Sequence, residues 1–385
     1  MFSMSSALRS AAARFLTLLR LTDCANFAGH VDCPLPGFCS FPGSPFLVRG
    51  WLIGVVDPVV WVDGKEVARL SINQCRPDVA LALRLKNDLV GFKQALLLEL
   101  EPGPHRLQIG YRRGSKKIML ASIAFCAYPA TSRPEPFYVV THERAGTHFL
   151  INTLFKNVAL QSGFEHYYHK VGEWVGPYDD KTTQFRHIDA FVGDWKNIVE
   201  RVSIIKTHCE RELFQARYPK SKTVYVLRDP RDTLISFYHY LNHPELYRSN
   251  PWLSDQRCSS LSQFLRQPLS PFLKFSYSRH GLINNVAERW TDHVKGWLNA
   301  DDTLVVRYEE LKTDFRGTLE RLSAFLNVEL RPITSPVGLH EYASALPRKG
   351  LIGDWRGNFT PEDEAIVRQA VKKAGLDWEY VTWPS

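Results

Sequence analysis

The sequence lacks the features that mark membrane-spanning, disordered and fibrous proteins. No apolar run reaches the roughly 18 residues that a membrane-spanning helix needs. Charged residues make up 23% and hydrophobic residues 44%, which excludes a wholly disordered chain, a collagen and a coiled coil. What remains is a globular protein, and 385 residues suffice for two or three domains of roughly 100–200 residues each.

Cysteine pairs with metal-binding spacing are also lacking. The seven cysteines include no CxxC pair, and no Cys/His spacing suits a structural zinc site. Their odd number favours reduced thiols, with a Cys33–Cys39 disulfide as the alternative.

The positive charge is concentrated in the N-terminal third. Residues 1–133 contain 16 Lys or Arg and 9 Asp or Glu, a net charge of +7, whereas the whole chain carries +8. Such an excess fits anionic partners or a solvated basic surface and does not distinguish them. No nucleic-acid partner is predicted.

The first 22 residues carry three arginines and no acid. The arginines interrupt the apolar positions, so no signal-peptide core forms. Leu8, Phe15, Leu18 and Leu19 share one face of a helix. This pattern fits a docked amphipathic helix, a membrane-surface anchor or a transit peptide, and peripheral membrane contact is therefore kept as an expectation.

Residues 24–128 have the pattern of an all-β domain. The segment 58–70 alternates around Asp63-Gly64, which predicts a hairpin with a tight turn. A second hairpin is predicted from residues 95–100 and 105–111, and a further strand from 117–125. Together they predict a sandwich-like domain of about 100 residues. Its tryptophans, Trp51 and Trp61, are expected in the core rather than on a carbohydrate-binding face.

The pattern changes after a proline-rich linker at residues 129–136, and residues 137–385 form the second predicted domain. Short apolar strands alternate with helices, which predicts an α/β fold with a P-loop-like parallel sheet covered by helices on both faces. The expected strands are 137–141, 202–206, 223–227 and 303–307, and the expected helices are 147–160, 232–241 and 315–326.

The loop between the first strand and helix of this domain has the composition of an anion site. It reads Arg144-Ala145-Gly146-Thr147-His148-Phe149. Backbone N–H groups at a helix N-terminus attract anions, glycine permits close approach, and arginine adds a fixed cation. The GxxxxGK[ST] pattern is absent, which disfavours a P-loop phosphotransferase.

Three further motifs lie at strand ends or in a glycine-rich loop. Lys206 and His208 end one strand, where α/β sheets bind ligands and where a histidine can serve as a general base. Arg228 ends the next strand, and Ser236 follows two helical turns later. Near the C-terminus, Arg348-Lys349-Gly350 begins the loop RKGLIGDW.

Together, these four motifs resemble, in order, the 5′-phosphosulfate loop, the KTH strand, the 3′-phosphate strand–helix and the RKGxxGDW loop of cytosolic-type sulfotransferases. The resemblance covers about residues 137–378 and leaves the N-terminal β domain outside. That family transfers a sulfuryl group from 3′-phosphoadenosine-5′-phosphosulfate (PAPS) and releases adenosine 3′,5′-bisphosphate (PAP). The resemblance implies a cytoplasmic enzyme of this kind.

Site roles follow from the resemblance position by position. Residues 144–149 correspond to the phosphosulfate loop, in which Arg144 stands for a lysine, Ala145 for a serine, His148 for a threonine or asparagine, and Phe149 for an adenine-stacking tryptophan; Gly146 and Thr147 keep the pattern. The 3′-phosphate contacts correspond to Arg228, Ser236, Arg348, Lys349 and Gly350. Thr291 stands where the family has a tyrosine that contacts adenine.

The implied reaction is in-line attack of an acceptor hydroxyl on the donor sulfur. His208 is expected to remove the hydroxyl proton, while Arg144 and Lys206 stabilise the growing negative charge. No metal is expected. The resemblance implies an acceptor hydroxyl on a phenol, alcohol, lipid or glycan. The alternative is a non-catalytic nucleotide- or glycan-binding protein on the same scaffold.

Overall fold

The computed structural model of the chain describes residues 28–34, 37–160, 169–170, 174–179, 182–187, 203–216, 218, 220–244, 257–269, 283–298, 300–331, 336 and 348–384. Residues 1–23, the predicted N-terminal amphipathic segment, lie outside this set. The chain divides into two compact units, one reaching to Arg133 and the other comprising most of the chain from Pro134 onward. Within the described ranges, no helix has the length and apolar character needed to cross a membrane.

The N-terminal unit is built from strands. Its elements are β1 (Ala28–Cys33), β2 (Cys39–Ser40), β3 (Phe46–Ile53), β4 (Val59–Val62), β5 (Lys65–Arg69), β6 (Ile72–Cys75), helix α1 (Pro77–Leu83), β7 (Leu89–Leu96), β8 (Gly103–Arg113) and β9 (Lys116–Ala127).

These strands form two sheets, ordered β1-β3-β7-β6 and β2-β9-β8-β4-β5. Both sheets contribute to one hydrophobic core, for example with Val48 and Phe92 from the first sheet and Val60 and Ile109 from the second. Trp51 and Trp61 are buried, so their predicted core placement is confirmed.

The hairpin predicted around Asp63-Gly64 is confirmed. Strands β4 and β5 pair in antiparallel fashion, and both turn residues have positive φ, 49° for Asp63 and 82° for Gly64. These values match the turn type whose twist suits a two-residue hairpin.

The second predicted hairpin is wrong. Strand β7 ends at Leu96 and pairs with β3 and β6, whereas β8 begins at Gly103 and pairs with β4 and β9. Residues 97–102 therefore pass from one sheet to the other. Alternation of apolar residues reports which face of a strand is buried and does not report its partner.

Cys39 is a buried free thiol, so the alternative Cys33–Cys39 disulfide is not formed.

The helix predicted for 147–160 ends at Asn157, because Val158 is extended and forms an isolated bridge with Leu330.

The second unit alternates strands and helices. Its strands are β10 (Phe137–Thr141), β11 (His169–Lys170), β12 (Trp174–Asp179), β13 (Thr182–His187), β14 (Ile204–Thr207), β15 (Thr223–Leu227) and β16 (Thr303–Arg307). Its helices are α2 (Thr147–Asn157), α3 (Arg211–Gln215), α4 (Pro230–Leu241), α5 (Leu261–Arg266), α6 (Val286–Leu298), α7 (Glu310–Thr313), α8 (Phe315–Leu326), α9 (Pro361–Ala374) and α10 (Trp378–Val381).

A five-stranded parallel sheet with the order β11-β14-β10-β15-β16 forms the centre of this unit. Every residue of β10 and β15 is buried, as expected for strands that are covered on both faces. The predicted strands 137–141, 223–227 and 303–307 are confirmed, and the fourth strand spans Ile204–Thr207. Because the strands are parallel, their carboxyl ends lie at one edge of the sheet, where the candidate site residues follow them.

Candidate active site

The loop after β10 turns sharply into helix α2. Gly146 precedes the helix with φ 110°, a backbone conformation that favours glycine, and a Cβ atom there would clash with the ring of Tyr308. Arg144 also has a positive φ, 68°. The sequence therefore needs glycine at 146 for the turn and for the close approach of Tyr308.

Arg144 connects the loop to helix α4. Its Nε atom donates to the Oγ of Ser236 at 3.3 Å, and its guanidinium lies 5.0 Å from the ring centroid of Tyr240. Burial, together with the smaller effect of the nearby cations Arg228 and Arg348, lowers its pKa to about 10. The structure thus gathers cations from three distant segments around this loop.

Arg228, at the end of β15, joins the loop to the C-terminal segment. Its Nη1 donates to the carbonyl oxygen of Arg144 at 3.1 Å, and its Nη2 donates to that of Leu351 at 3.0 Å. The guanidinium stacks 4.4 Å from the ring centroid of Tyr308. The Nε atoms of Arg228 and Arg348 are buried and have no hydrogen-bond partner within the described ranges.

The segment 348–355 is held in place by an acidic residue of helix α4. The Asp232 carboxylate accepts hydrogen bonds from the backbone N–H groups of Gly353 and Trp355. Inside the segment, Arg348 and Lys349 both donate to Asp354, at 2.6 and 3.0 Å. Burial alone would raise the pKa of Asp354, but these two hydrogen bonds outweigh it and the pKa is lowered.

His208 and Lys206 lie beside the loop. Lys206 is buried on β14, in register with Val139 of β10. The Nδ1 atom of His208 lies 2.7 Å from the carbonyl oxygen of Thr141. Because a carbonyl oxygen only accepts, Nδ1 carries the hydrogen in the neutral ring and the lone pair is on Nε2.

The comparison with protein-family models identifies the family of this chain. The model of the family described as "Sulfotransferase domain" matches residues 134–378. The chain belongs to the sulfotransferase family.

Two curated relatives illustrate how close the match is. Sulfotransferase 2B1 of Mus musculus is 27% identical over 271 residues, which cover 62% of this chain and 71% of the relative. The 3-alpha-hydroxysteroid sulfotransferase of Cavia porcellus is 27% identical over 210 residues, covering 47% and 66%. Among solved structures, mouse sulfotransferase SULT7A1 complexed with PAP aligns with a TM-score of 0.41 at 24% identity, covering 63% of this chain and 84% of that chain.

Other predicted site residues of this sulfotransferase occupy the same loop and its neighbourhood. Ala145 is buried and donates its N–H to the carbonyl oxygen of His142. Thr147 is the first residue of helix α2, and its Oγ1 lies 2.5 Å from that of Thr141. His148 is half-buried in the same helical turn. Thr291 is buried on α6 and donates to the carbonyl oxygen of Glu288.

Two residues that the sequence interpretation missed border the site of this sulfotransferase. Tyr308 follows β16; its ring lies 5.5 Å from that of Phe149, and its hydroxyl donates to the carbonyl oxygen of Gly350 at 2.8 Å. Lys312 donates to the same oxygen, and burial together with Arg228 lowers its pKa. Both follow the strand Thr303–Arg307, and a signal was present, since polar groups just after a strand of this sheet face the ligand edge.

Proposed function

We propose that this sulfotransferase uses PAPS as its donor and transfers the sulfuryl group to the hydroxyl of an acceptor. The observation that carries the proposal is the pair of buried Nε atoms, on Arg228 and Arg348, without a partner among the described residues. A buried donor without an acceptor is costly, and an anion with several oxygens, such as a phosphate, satisfies it.

The charges around these two donors fit such an anion. Arg228 and Arg348 are close enough to Arg144 to add to the effect of burial in lowering its pKa. Asp354 pairs with Arg348 and Lys349. Arg228 is buried and donates to the carbonyl oxygens of Arg144 and Leu351. An incoming phosphate or phosphosulfate relieves the repulsion among the arginines.

In this proposal, Arg228, Ser236 and residues 348–350 hold the 3′-phosphate, and the residues 144–149 hold the phosphosulfate. The ring of Phe149 stacks on adenine. It lies beside Tyr308, and the two ring centroids are 5.5 Å apart. Fixing both ends of the donor orients its sulfur toward the acceptor. Such positioning lowers the barrier of the transfer step.

His208 serves as the general base. Its Nδ1–H is oriented by the carbonyl oxygen of Thr141, so that Nε2 presents the lone pair that takes the acceptor proton. As that proton leaves, the acceptor oxygen bonds to sulfur and the bond from sulfur to the phosphate oxygen breaks. Arg144 and Lys206 stabilise the charge that develops on the sulfuryl and leaving oxygens.

For the acceptor, we propose the hydroxyl of a small molecule, with phenol, alcohol, lipid and glycan hydroxyls all to be screened. One relative is named a 3-alpha-hydroxysteroid sulfotransferase, which makes a hydroxysteroid the first compound to test. A phosphotransferase is disfavoured because the sequence has no GxxxxGK[ST] motif.

The proposal extends to the organisation of the chain. We assign residues 24–128 to an accessory β-sandwich, 129–136 to a linker and 137–385 to the catalytic domain, in a cytoplasmic enzyme whose residues 1–22 are the candidate for membrane contact. Cell fractionation of the full chain beside a form lacking residues 1–22 tests the last point. Equal distribution of the two forms contradicts it.

The donor site is tested by calorimetric titration with PAP and, as a control ligand, 5′-AMP. Binding that requires the 3′-phosphate supports the proposal, and equal binding of the two nucleotides contradicts it. Arg228→Ala is expected to weaken PAP binding at least about 100-fold, because it removes a charged contact to phosphate. Arg316→Ala, on the exposed face of helix α8, is the matched control and is expected to leave affinity unchanged.

Turnover with labelled PAPS separates an enzyme from a binding protein. His208→Ala is expected to abolish transfer while PAP affinity stays near that of the unaltered chain. Tight PAP binding without transfer to any acceptor class would favour the non-catalytic alternative.

A further inference from the structure

A buried ion pair connects the donor loop to helix α6. Arg289 is 1% exposed, and its Nη2 donates to both carboxylate oxygens of Glu143 at 2.7 Å. Glu143 immediately precedes Arg144 in the loop, whereas Arg289 lies near the start of a helix far along the sequence. The pair therefore fixes the loop to an element that takes no direct part in the proposed donor contacts.

His142 completes the connection. Its Nδ1 donates to the carbonyl oxygen of Glu143 at 2.9 Å, and its Nε2 therefore accepts from Nη1 of Arg289 at 3.1 Å. One neutral tautomer satisfies both contacts. Burial, followed by the charge of Arg289, lowers the pKa of His142 to about 3, which keeps the ring uncharged at neutral pH. The guanidinium of Arg289 thus donates hydrogen bonds to two consecutive residues of the loop, His142 and Glu143.

The next residue in the chain is Arg144, which has φ 68°. For a residue other than glycine this conformation is unfavourable and persists only where its surroundings hold it. On one side of Arg144, its carbonyl oxygen and side chain are fixed by Arg228 and Ser236. On the other side, the chain is fixed by Arg289 through Glu143 and His142.

From this arrangement we infer that Arg289 is a positioning residue of the donor loop: through Glu143 and His142 it holds Arg144 in the orientation that receives the phosphosulfate. The inference deepens the proposed function and rests on it. A buried ion pair is a poor source of stability, since apolar residues of similar size often serve as well. Its position beside Arg144, a residue with positive φ, fits a role in fixing the geometry of the loop.

The test uses variants that do not leave one buried charge alone. Arg289→Met combined with Glu143→Gln removes both charges and retains side-chain volume. The matched control is Arg266→Met combined with Asp363→Asn, a pair whose atoms are also 2.7 Å apart and which joins helices α5 and α9 away from the loop. Arg289→Lys retains the charge and the contact with Glu143 but loses the simultaneous contact with His142.

Hydrogen exchange of the peptide covering residues 142–150, measured without ligand, reports on loop order directly. We expect faster exchange in the Arg289→Met/Glu143→Gln variant, an intermediate rate in Arg289→Lys, and no change in the control pair. Exchange that is unchanged in the double variant overturns the inference, whatever the nucleotide results.

PAP titration and turnover then connect the loop to the donor. The double variant is expected to bind PAP about tenfold more weakly. Its kcat/KM for PAPS is expected to fall roughly 100-fold, because a small displacement of a positioning group is costly. Faster exchange with PAP affinity and kcat/KM unchanged also overturns the inference. If the unaltered chain fails to bind PAP, the proposed function fails, and the exchange data still decide whether Arg289 orders the loop.

Discussion

The carboxylate of Asp232, in the first turn of helix α4, accepts a 2.7 Å hydrogen bond from the backbone N–H of Gly353. Its other oxygen accepts from Trp355 at 3.0 Å. Gly353 has φ 77°, so the backbone turns at the point where it meets this carboxylate. Helix α4 carries Ser236 as well, and one helix thus sets the positions of two parts of the proposed 3′-phosphate site.

Asp232→Asn tests whether this contact controls donor binding. An amide can accept with one oxygen only and offers an NH₂ group to the second N–H, so one hydrogen bond is lost. We expect the Kd for PAP to rise about tenfold. The control is Asp314→Asn, which weakens a similar contact, to the N–H of Gly317, at the start of helix α8. Equal effects of the two substitutions on PAP affinity would contradict the prediction.

Gly146→Ala tests the close approach of the donor loop to Tyr308. The added methyl group clashes with the Tyr308 ring and imposes a positive φ on alanine, so both folding and donor binding are expected to suffer. Gly375→Ala is the control, because Gly375 also has a positive φ, 71°, but open space around it. Thermal unfolding and PAP titration should show a larger loss for Gly146→Ala. The same loss in both variants would mean that backbone strain alone is responsible.

Phe149→Leu tests the proposed adenine contact. Loss of an aromatic platform removes stacking worth about 1–3 kcal/mol per base, so PAP affinity is expected to fall about tenfold. Affinity for a ribose bisphosphate without a base should hardly change. Phe325→Leu, on helix α8, controls for loss of a ring elsewhere. A similar loss for both ligands would show that Phe149 supports the loop and does not contact the base.

The free energy of unfolding is expected to depend on pH because two histidines, His142 and His293, are buried. Burial lowers the pKa of His142 from 6.5 to about 3, and it lowers that of His293 well below 6.5. The unfolded chain therefore binds protons below pH 6.5 that the folded chain does not bind. The free energy of unfolding is expected to fall as pH falls from 6.5, by up to about 1.4 kcal/mol per pH unit for each histidine.

Denaturant unfolding at pH 7.5, 6.5 and 5.5 measures this dependence. His142→Gln and His293→Gln should each flatten the profile over that range, since the substituted side chain does not titrate. The neighbouring groups Glu143, Arg289 and His208 remain in both variants. A profile that keeps its slope in both variants would contradict the assignment to these histidines.

Local sequence patterns were sufficient for most of the strands. Asp63-Gly64 specifies a turn through its own backbone preferences, and the hairpin Val59–Arg69 follows from residues adjacent in sequence. The buried strands Phe137–Thr141 and Thr223–Leu227 were likewise evident from their apolar runs. The segment 95–111 misled the interpretation because strand pairing is decided by residues elsewhere in the chain.

The candidate site was also predictable only in part. Contiguous sequence motifs pointed to Arg144, His208, Arg228 and Arg348. The structure brings Arg144, Arg228 and Arg348 near one another. The contact between Glu143 and Arg289 could not be predicted, because neither residue stands in a pattern that names the other. It depends on helix α6 packing behind the loop, which only the tertiary structure specifies.

The strand order of the parallel sheet affects how the chain is made. Strand β10 is hydrogen-bonded to β14 on one side and β15 on the other, and both lie later in the chain. At about 5–20 residues per second, synthesis from residue 141 to residue 227 takes roughly 4–17 s. Until Thr207 has been synthesised, both edges of the nascent segment Phe137–Thr141 are unpaired, and one edge stays unpaired until Leu227. Apolar strands with unpaired edges are prone to aggregation. The hairpin of β8 and β9, in contrast, pairs with β4 and β2, which have already been synthesised, so its partners are present when it emerges.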